Sequence, residues 1–124
     1  MPVVNEAQNL GDLLKYEADA RYSREQVTIA ANQTLALGAV VGRNTNRNNL
    51  RVLNPGASNG TEIAIGVMIE AVTTTTTPAQ AVMITRHALV ARSALVWPTD
   101  ITDEQRETAL TQLEARGIIA REGA

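Results

Sequence analysis

The sequence has no cysteine and no phenylalanine, and only one tryptophan, one histidine and one lysine. Without cysteine there is no disulfide framework and no Cys-ligated metal centre. A single histidine, His87, rules out paired-histidine zinc sites. With Lys15 as the lone lysine and a formal net charge of −2, the chain lacks the cationic surplus of a general nucleic-acid binder, so no nucleic-acid partner is expected. No apolar run approaches the ~18 residues of a membrane helix, and residues 1–14 have neither the basic start nor the apolar stretch of a signal peptide. A soluble, non-exported chain without a membrane partner is expected. Aromatic residues make up 2% of the chain, namely Tyr16, Tyr22 and Trp97. The core must therefore come from Val, Ile, Leu and the abundant Ala, which bury little area each. So thin a core makes support from neighbouring subunits plausible.

What is present fits one domain: 124 residues, 44% of them apolar, enough to bury roughly two-thirds of the unfolded surface. Residues 1–25 are polar, with scattered Leu10, Leu13, Leu14, Tyr16 and Tyr22. Leu10, Leu13 and Leu14 suit one helical turn, but no apolar stripe extends it. This stretch reads as an arm, mobile in the free protein and ordered by a partner, removable through residue 22 without loss of the remaining fold. The organisation expected is an arm over 1–25 and a β-rich domain over 26–124.

From Glu25 the pattern changes. Gln26-Val27-Thr28-Ile29-Ala30-Ala31 alternates and is rich in β-branched residues, the mark of a strand. Asn32-Gln33-Thr34 suits a turn. A second apolar stretch over 35–42 contains Gly38 and Gly42, read as turn or bulge glycines. Asn-rich loops over 43–61 enclose a short strand, Leu50-Arg51-Val52-Leu53. A buried strand is expected over 64–72, a threonine connector over 73–77, and a strand over 80–86 that pairs with its predecessor and continues through 87–91. Pro98 stops Ala94-Leu95-Val96-Trp97. Thr102-Asp103-Glu104-Gln105 is a capping-box sequence with acids in the first turn, opening a helix whose apolar face is Ala109, Leu110 and Leu113 and whose end is Arg116-Gly117. Ile118-Ile119-Ala120-Arg121 returns as a short strand or extended tail. The fold class is α+β and β-rich: a small barrel-like or sandwich-like domain of short strands, one C-terminal helix and an extended N-terminal arm.

Catalytic kits are hard to assemble from these residues. His87 has no nucleophile or carboxylate near it in sequence, and there is no Gly-x-Ser-x-Gly. Asp100, Asp103, Glu104, Glu107 and Glu114 fit a solvated helix face that complements the dipole, and lack the alternating oxygen ligands of a calcium loop. No glycine-rich phosphate loop ends in lysine. No catalytic, cofactor-binding or metal residue is therefore assigned. Arg43, Arg47 and Arg51 form a basic block without an intervening acid, readable as a solvated loop or as a dock for an acidic surface. Trp97, followed by Pro98, is either core filler or the anchor of a subunit contact.

Several of these segments, in order, look like one known family. Ser23-Arg24-Glu25-Gln26-Val27-Thr28-Ile29 and then Leu37-Gly38-Ala39-Val40-Val41-Gly42-Arg43 resemble the opening of the lambda-type phage head decoration proteins. Ala64-Ile65-Gly66-Val67 followed by Glu70 resembles their central strand. Arg86, Ala94-Leu95-Val96-Trp97-Pro98 and a short helix ending in Leu113-Glu114-Ala115-Arg116-Gly117-Ile118 complete the order, over about residues 22 to 121. The resemblance implies a homotrimeric knob on the outer surface of the virion head, assembled in the host cytoplasm. It implies binding to the major capsid protein at three-fold positions of the expanded head, and support of the shell against packaged DNA. The family implies no enzyme activity and no cofactor. On this reading the capsid-binding arm and its lead-in strand comprise Leu13, Leu14, Tyr16, Tyr22, Ser23, Arg24, Val27 and Ile29, able to pair with a strand of the shell protein. Trp97 and Pro98 are the candidate trimer or core anchor. The alternatives from the residues alone are a small β-barrel ligand-binding module and a carboxylate-based enzyme.

Overall fold

The computed structural model describes residues 10–45 and 49–122. Five strands close into a barrel in the order β2-β5-β4-β6-β8: β2 is Arg24–Ile29, β4 Val40–Asn44, β5 Asn49–Val52, β6 Gly66–Met68 and β8 Ala79–Ile84. Most neighbours are antiparallel, the β2/β8 pair running over six residues from Arg24↔Ile84 to Ile29↔Ala79. The β2/β5 seam is parallel and joined at Ile29↔Leu50. Beside the barrel lies a three-stranded sheet, β1-β9-β10, built from β1 Leu14–Glu17, β9 Ala88–Ala91 and β10 Ile118–Arg121. A two-stranded ribbon pairs β3 Thr34–Leu35 with β7 Val72–Thr73. The helices are the short α1 Leu10–Leu13 and α2 Ala20–Ser23 and the longer α3 Asp103–Ala115; Arg92–Ala94 forms a 3₁₀ turn after β9. The chain is thus strand-rich α+β with one substantial C-terminal helix, as its pattern of short alternating segments implies.

Strand alternation divides the apolar residues between two cores. One face of each barrel strand points inward, where Val27, Ile29, Val41, Leu50, Met68 and Met83 fill the interior. The other face of β4, β6 and β8 presents Val40, Val67 and Ile84 in one cross-strand row. On that row pack Ala88 and Val90 of β9, Ile118 of β10 and Ala109 and Leu113 of α3. Each face buries a continuous apolar surface, which is where most of the driving force for folding lies.

Several local expectations shift in the folded chain. The apolar stretch over 64–72 pairs only across Gly66–Met68, then bends and resumes as β7. β8 does pair with β6, through Val67↔Ile84 and Met68↔Met83. It does not run on through 87–91, because His87 adopts a left-handed φ of 49° and sends the chain into the other sheet as β9. The threonine connector is partly structural: buried Thr74 donates its hydroxyl to the Ala30 carbonyl at 2.5 Å, tying the β3/β7 ribbon to the end of β2.

α3 begins and ends as its residues dictate. The Thr102 hydroxyl accepts from the Gln105 N–H at 3.1 Å, and the Gln105 side chain accepts from the Thr102 N–H at 3.0 Å, completing a capping box. Gly117, at φ 82°, turns the chain out of the helix and into β10. Ala109 and Leu113 are buried and Leu110 is half-buried, so the expected apolar face is the one that packs. Thr102→Ala is expected to lower stability by about 1 kcal/mol in urea unfolding, the usual loss for a deleted cap. A change within experimental error would show that the cap contributes nothing.

Candidate interaction surface

The stretch expected to be an arm is, from Leu10 onward, built into the domain. Leu13 is fully buried in the core beside Val90, Ala94 and Leu113. β1 pairs with β9 through Leu14↔Val90, Tyr16↔Leu89 and Glu17↔Ala88. The expected boundary between residues 25 and 26 falls inside β2 and separates nothing. One long apolar side chain placed over a waiting cavity, with a strand to hold it there, is enough to fold a stretch that has no amphipathic stripe of its own. Residues 1–9, the rest of that stretch, lie outside the described residues.

Side-chain bonds fasten the segment at both ends. The Arg24 guanidinium donates to both Glu17 oxygens, Nε at 3.2 and 3.1 Å and Nη2 at 2.6 Å. Hydrogen bonding to Glu17, aided by its charge, raises the Arg24 pKa above its ordinary value against the opposing effect of burial. Asp19 caps α2 by accepting from the Arg21 N–H at 2.9 Å. Arg86 donates to the Tyr22 carbonyl and lies 5.0 Å from the centre of its ring. The Tyr22 ring is in turn 5.0 Å from that of His87. The His87 carbonyl accepts from the Ala18 N–H at 3.1 Å and from the buried Ser23 hydroxyl at 3.3 Å. His87 is therefore a corner piece that joins the N-terminal segment to the start of β9.

The residues expected to face the shell are consequently split. Leu13, Ser23, Val27 and Ile29 point into the fold and present nothing outward. Leu14 is half-buried against the core, and Arg24 is held by Glu17. Tyr16 and Tyr22 remain exposed, at 62% and 48%. Val27 and Ile29 share the inward face of β2, whereas an irregularity in the β1/β9 register between Leu14 and Tyr16 turns Leu14 toward the core and leaves Tyr16 outside.

Trp97 packs, partly buried, against the outer core, and Pro98 follows it in the chain. Both also line a groove of about 430 Å³ with Leu35, Ala36, Val52 and Val96. Val52 and Val96, 38% and 41% exposed, are among the few large apolar side chains left in solvent. Trp97 thus both completes a core and borders an open apolar groove, so neither sequence reading is set aside. Nothing in the short segments Leu50–Leu53 and Ala94–Trp97 marks Val52 or Val96 as exposed, because exposure there depends on which strands lie alongside.

The charged clusters do not converge. Asp103 pairs with Arg106 at 2.8 Å, and Glu107 pairs with Arg92, both at the surface of α3. Among the described residues no three acids or histidines stand together as a metal site. Arg43 and Arg51 occupy adjacent strands but opposite faces, since Arg43 is level with Leu50 and Arg51 with Gly42. Arg47, the third member of that block, lies outside the described residues.

Comparison with known families agrees with this architecture. A search of curated proteins finds no match. The family model for bacteriophage lambda head decoration protein D, whose members are structural head proteins, matches residues 3–118 and so spans both cores, the N-terminal segment, the Trp97 groove and α3. The chain belongs to the bacteriophage lambda head decoration protein D family.

Proposed function

We propose that this chain is a cement protein: a homotrimer that binds the major capsid protein at three-fold positions on the outer surface of the expanded phage head and holds the shell against the pressure of packaged DNA. The observation that carries this is the family match over residues 3–118. Two structural features support it. The barrel interior is packed with side chains rather than lined as a ligand cavity, which disfavours a β-barrel binding module. The Trp97 groove offers an apolar surface suited to a subunit contact, where a half-buried tryptophan beside exposed valines is a common anchor. In a closed trimer that groove is covered three times by rotation, with no open end to propagate a filament.

Shell contact belongs to the N-terminal side: residues 1–9, together with exposed Tyr16 on β1 and Tyr22 on α2. Leu13, Ser23, Val27 and Ile29 serve this surface by holding it in place. A protein gripping several capsid subunits at once stabilises the shell because each subunit must break those contacts before it can move outward.

The test is to mix the purified chain with expanded heads that lack it, image the heads by electron cryomicroscopy and measure the mass of the free protein by light scattering. Added density at three-fold positions and a trimer in one or both settings are expected. Unbound heads, or monomers in both settings, would overturn the reading.

A further inference from the structure

We propose a second docking surface, the outer face of the β1-β9-β10 sheet, that takes an extended segment of the shell protein presenting an apolar side chain next to a carboxylate. This rests on the decoration reading and adds to it the site and the chemistry of the partner.

The face is apolar across all three strands. Tyr16 on β1 stands level with Leu89 on β9, and Leu89 with Ile119 on β10, so the three form one cross-strand row. Their neighbours Ala88, Val90 and Ile118 point the other way, into the core. Leu89 and Ile119 are half-buried, while Tyr16 is the most exposed large apolar side chain among the described residues. Beside the row runs a trough of about 460 Å³, bordered by Tyr16, His87, Leu89, Gly117, Ile119 and Arg121. Gly117 keeps the floor low, since a Cβ there would lie 2.4 Å from His87 Cδ2. Isolated surface apolar residues need no explanation, but a row spanning a sheet beside a concavity marks a contact site.

Charge selects the occupant. Arg121 is exposed at one end of the trough and has no ion-pair partner among the described residues. No carboxylate lines the trough, and Glu17, next to Tyr16, is engaged by Arg24. An apolar floor with a single unpaired guanidinium at its end suits an apolar side chain followed by Asp or Glu. Position selects the shell over a second copy. The face carries Tyr16, one of the exposed tyrosines that the decoration reading sets toward the shell. It also shares no lining residue with the Trp97 groove, leaving that groove to the subunit contact.

Tyr16→Ser and Arg121→Glu change exposed side chains and leave both cores intact. Each is expected to weaken binding to undecorated expanded heads at least tenfold in a pelleting assay, with mass and thermal midpoint unchanged, whereas Arg121→Lys keeps binding within about threefold. Wild-type binding matched within twofold by both disruptive variants would overturn the docking surface while leaving the decoration reading intact. A change in the mass of the free protein in either variant would assign the face to a second copy and likewise overturn it. Failure of the wild-type chain to bind heads would overturn both.

Discussion

Removing residues 1–22 is expected to abolish cooperative folding, and Leu13→Ala alone to lower stability by about 2–5 kcal/mol. Leu13 is fully buried among Val90, Ala94 and Leu113, so truncation leaves a cavity bounded by a β-strand, a 3₁₀ turn and a helix that cannot all collapse together. The longer deletion also strips β1 from β9 and uncovers half of the Glu17–Arg24 pair. Urea unfolding followed by circular dichroism measures both. A 1–22 deletion that unfolds with the midpoint of the full chain would restore the detachable arm that the polar composition of this stretch suggests. A Leu13→Ala variant within about 0.5 kcal/mol of wild type would show that the site relaxes freely.

Gly42→Val is expected to be comparably severe, at or beyond the upper end of the about 1–3 kcal/mol usual for overpacking. A Cβ at Gly42 would lie 2.6 Å from the Thr61 carbonyl oxygen, 2.7 Å from its Cα and 2.8 Å from its carbonyl carbon. All three are backbone atoms of a residue that cannot step aside. The Thr61 carbonyl accepts from the Asn54 N–H at 2.9 Å, and its own N–H and hydroxyl donate to Asn59 Oδ1 at 3.1 and 2.6 Å. The strain must therefore pass into β4 and loosen its pairing with β5 and β6. Gly56 supplies the control: a Cβ there meets nothing nearer than Asn54 Oδ1 at 3.9 Å, so Gly56→Ala is expected to change stability by less than about 0.5 kcal/mol. Equal unfolding midpoints for the two variants would refute the close approach at Gly42.

The same two positions separate what was legible in the sequence from what was not. The capping box at Thr102 and Gln105, the glycine exit at Gly117, the alternation of Val27 and Ile29 and the strand at Ile118 were readable because each rests on bonds or periodicity within a few residues. The order of such segments, with Trp97-Pro98 before the helix, was enough to identify the family. Leu13 and Tyr16 are both scattered apolar residues of a polar stretch in the sequence, yet one is fully buried and the other is 62% exposed. Gly38 and Gly42 look alike too; one permits a turn at φ 92° and the other admits the backbone of Thr61. These differences depend on which strand from elsewhere in the chain lies alongside. So do the corner at His87, where a strand pattern that reads as continuous passes from the barrel into a second sheet, and the row joining Tyr16, Leu89 and Ile119. Composition and local pattern determined the class of fold, its long helix and the longer strands, but not β1, β3 or β7, which exist only by pairing with distant segments. The pairing of distant strands alone decided which side chains became core and which were left to meet a partner, because burial is a property of two surfaces and the sequence shows one at a time.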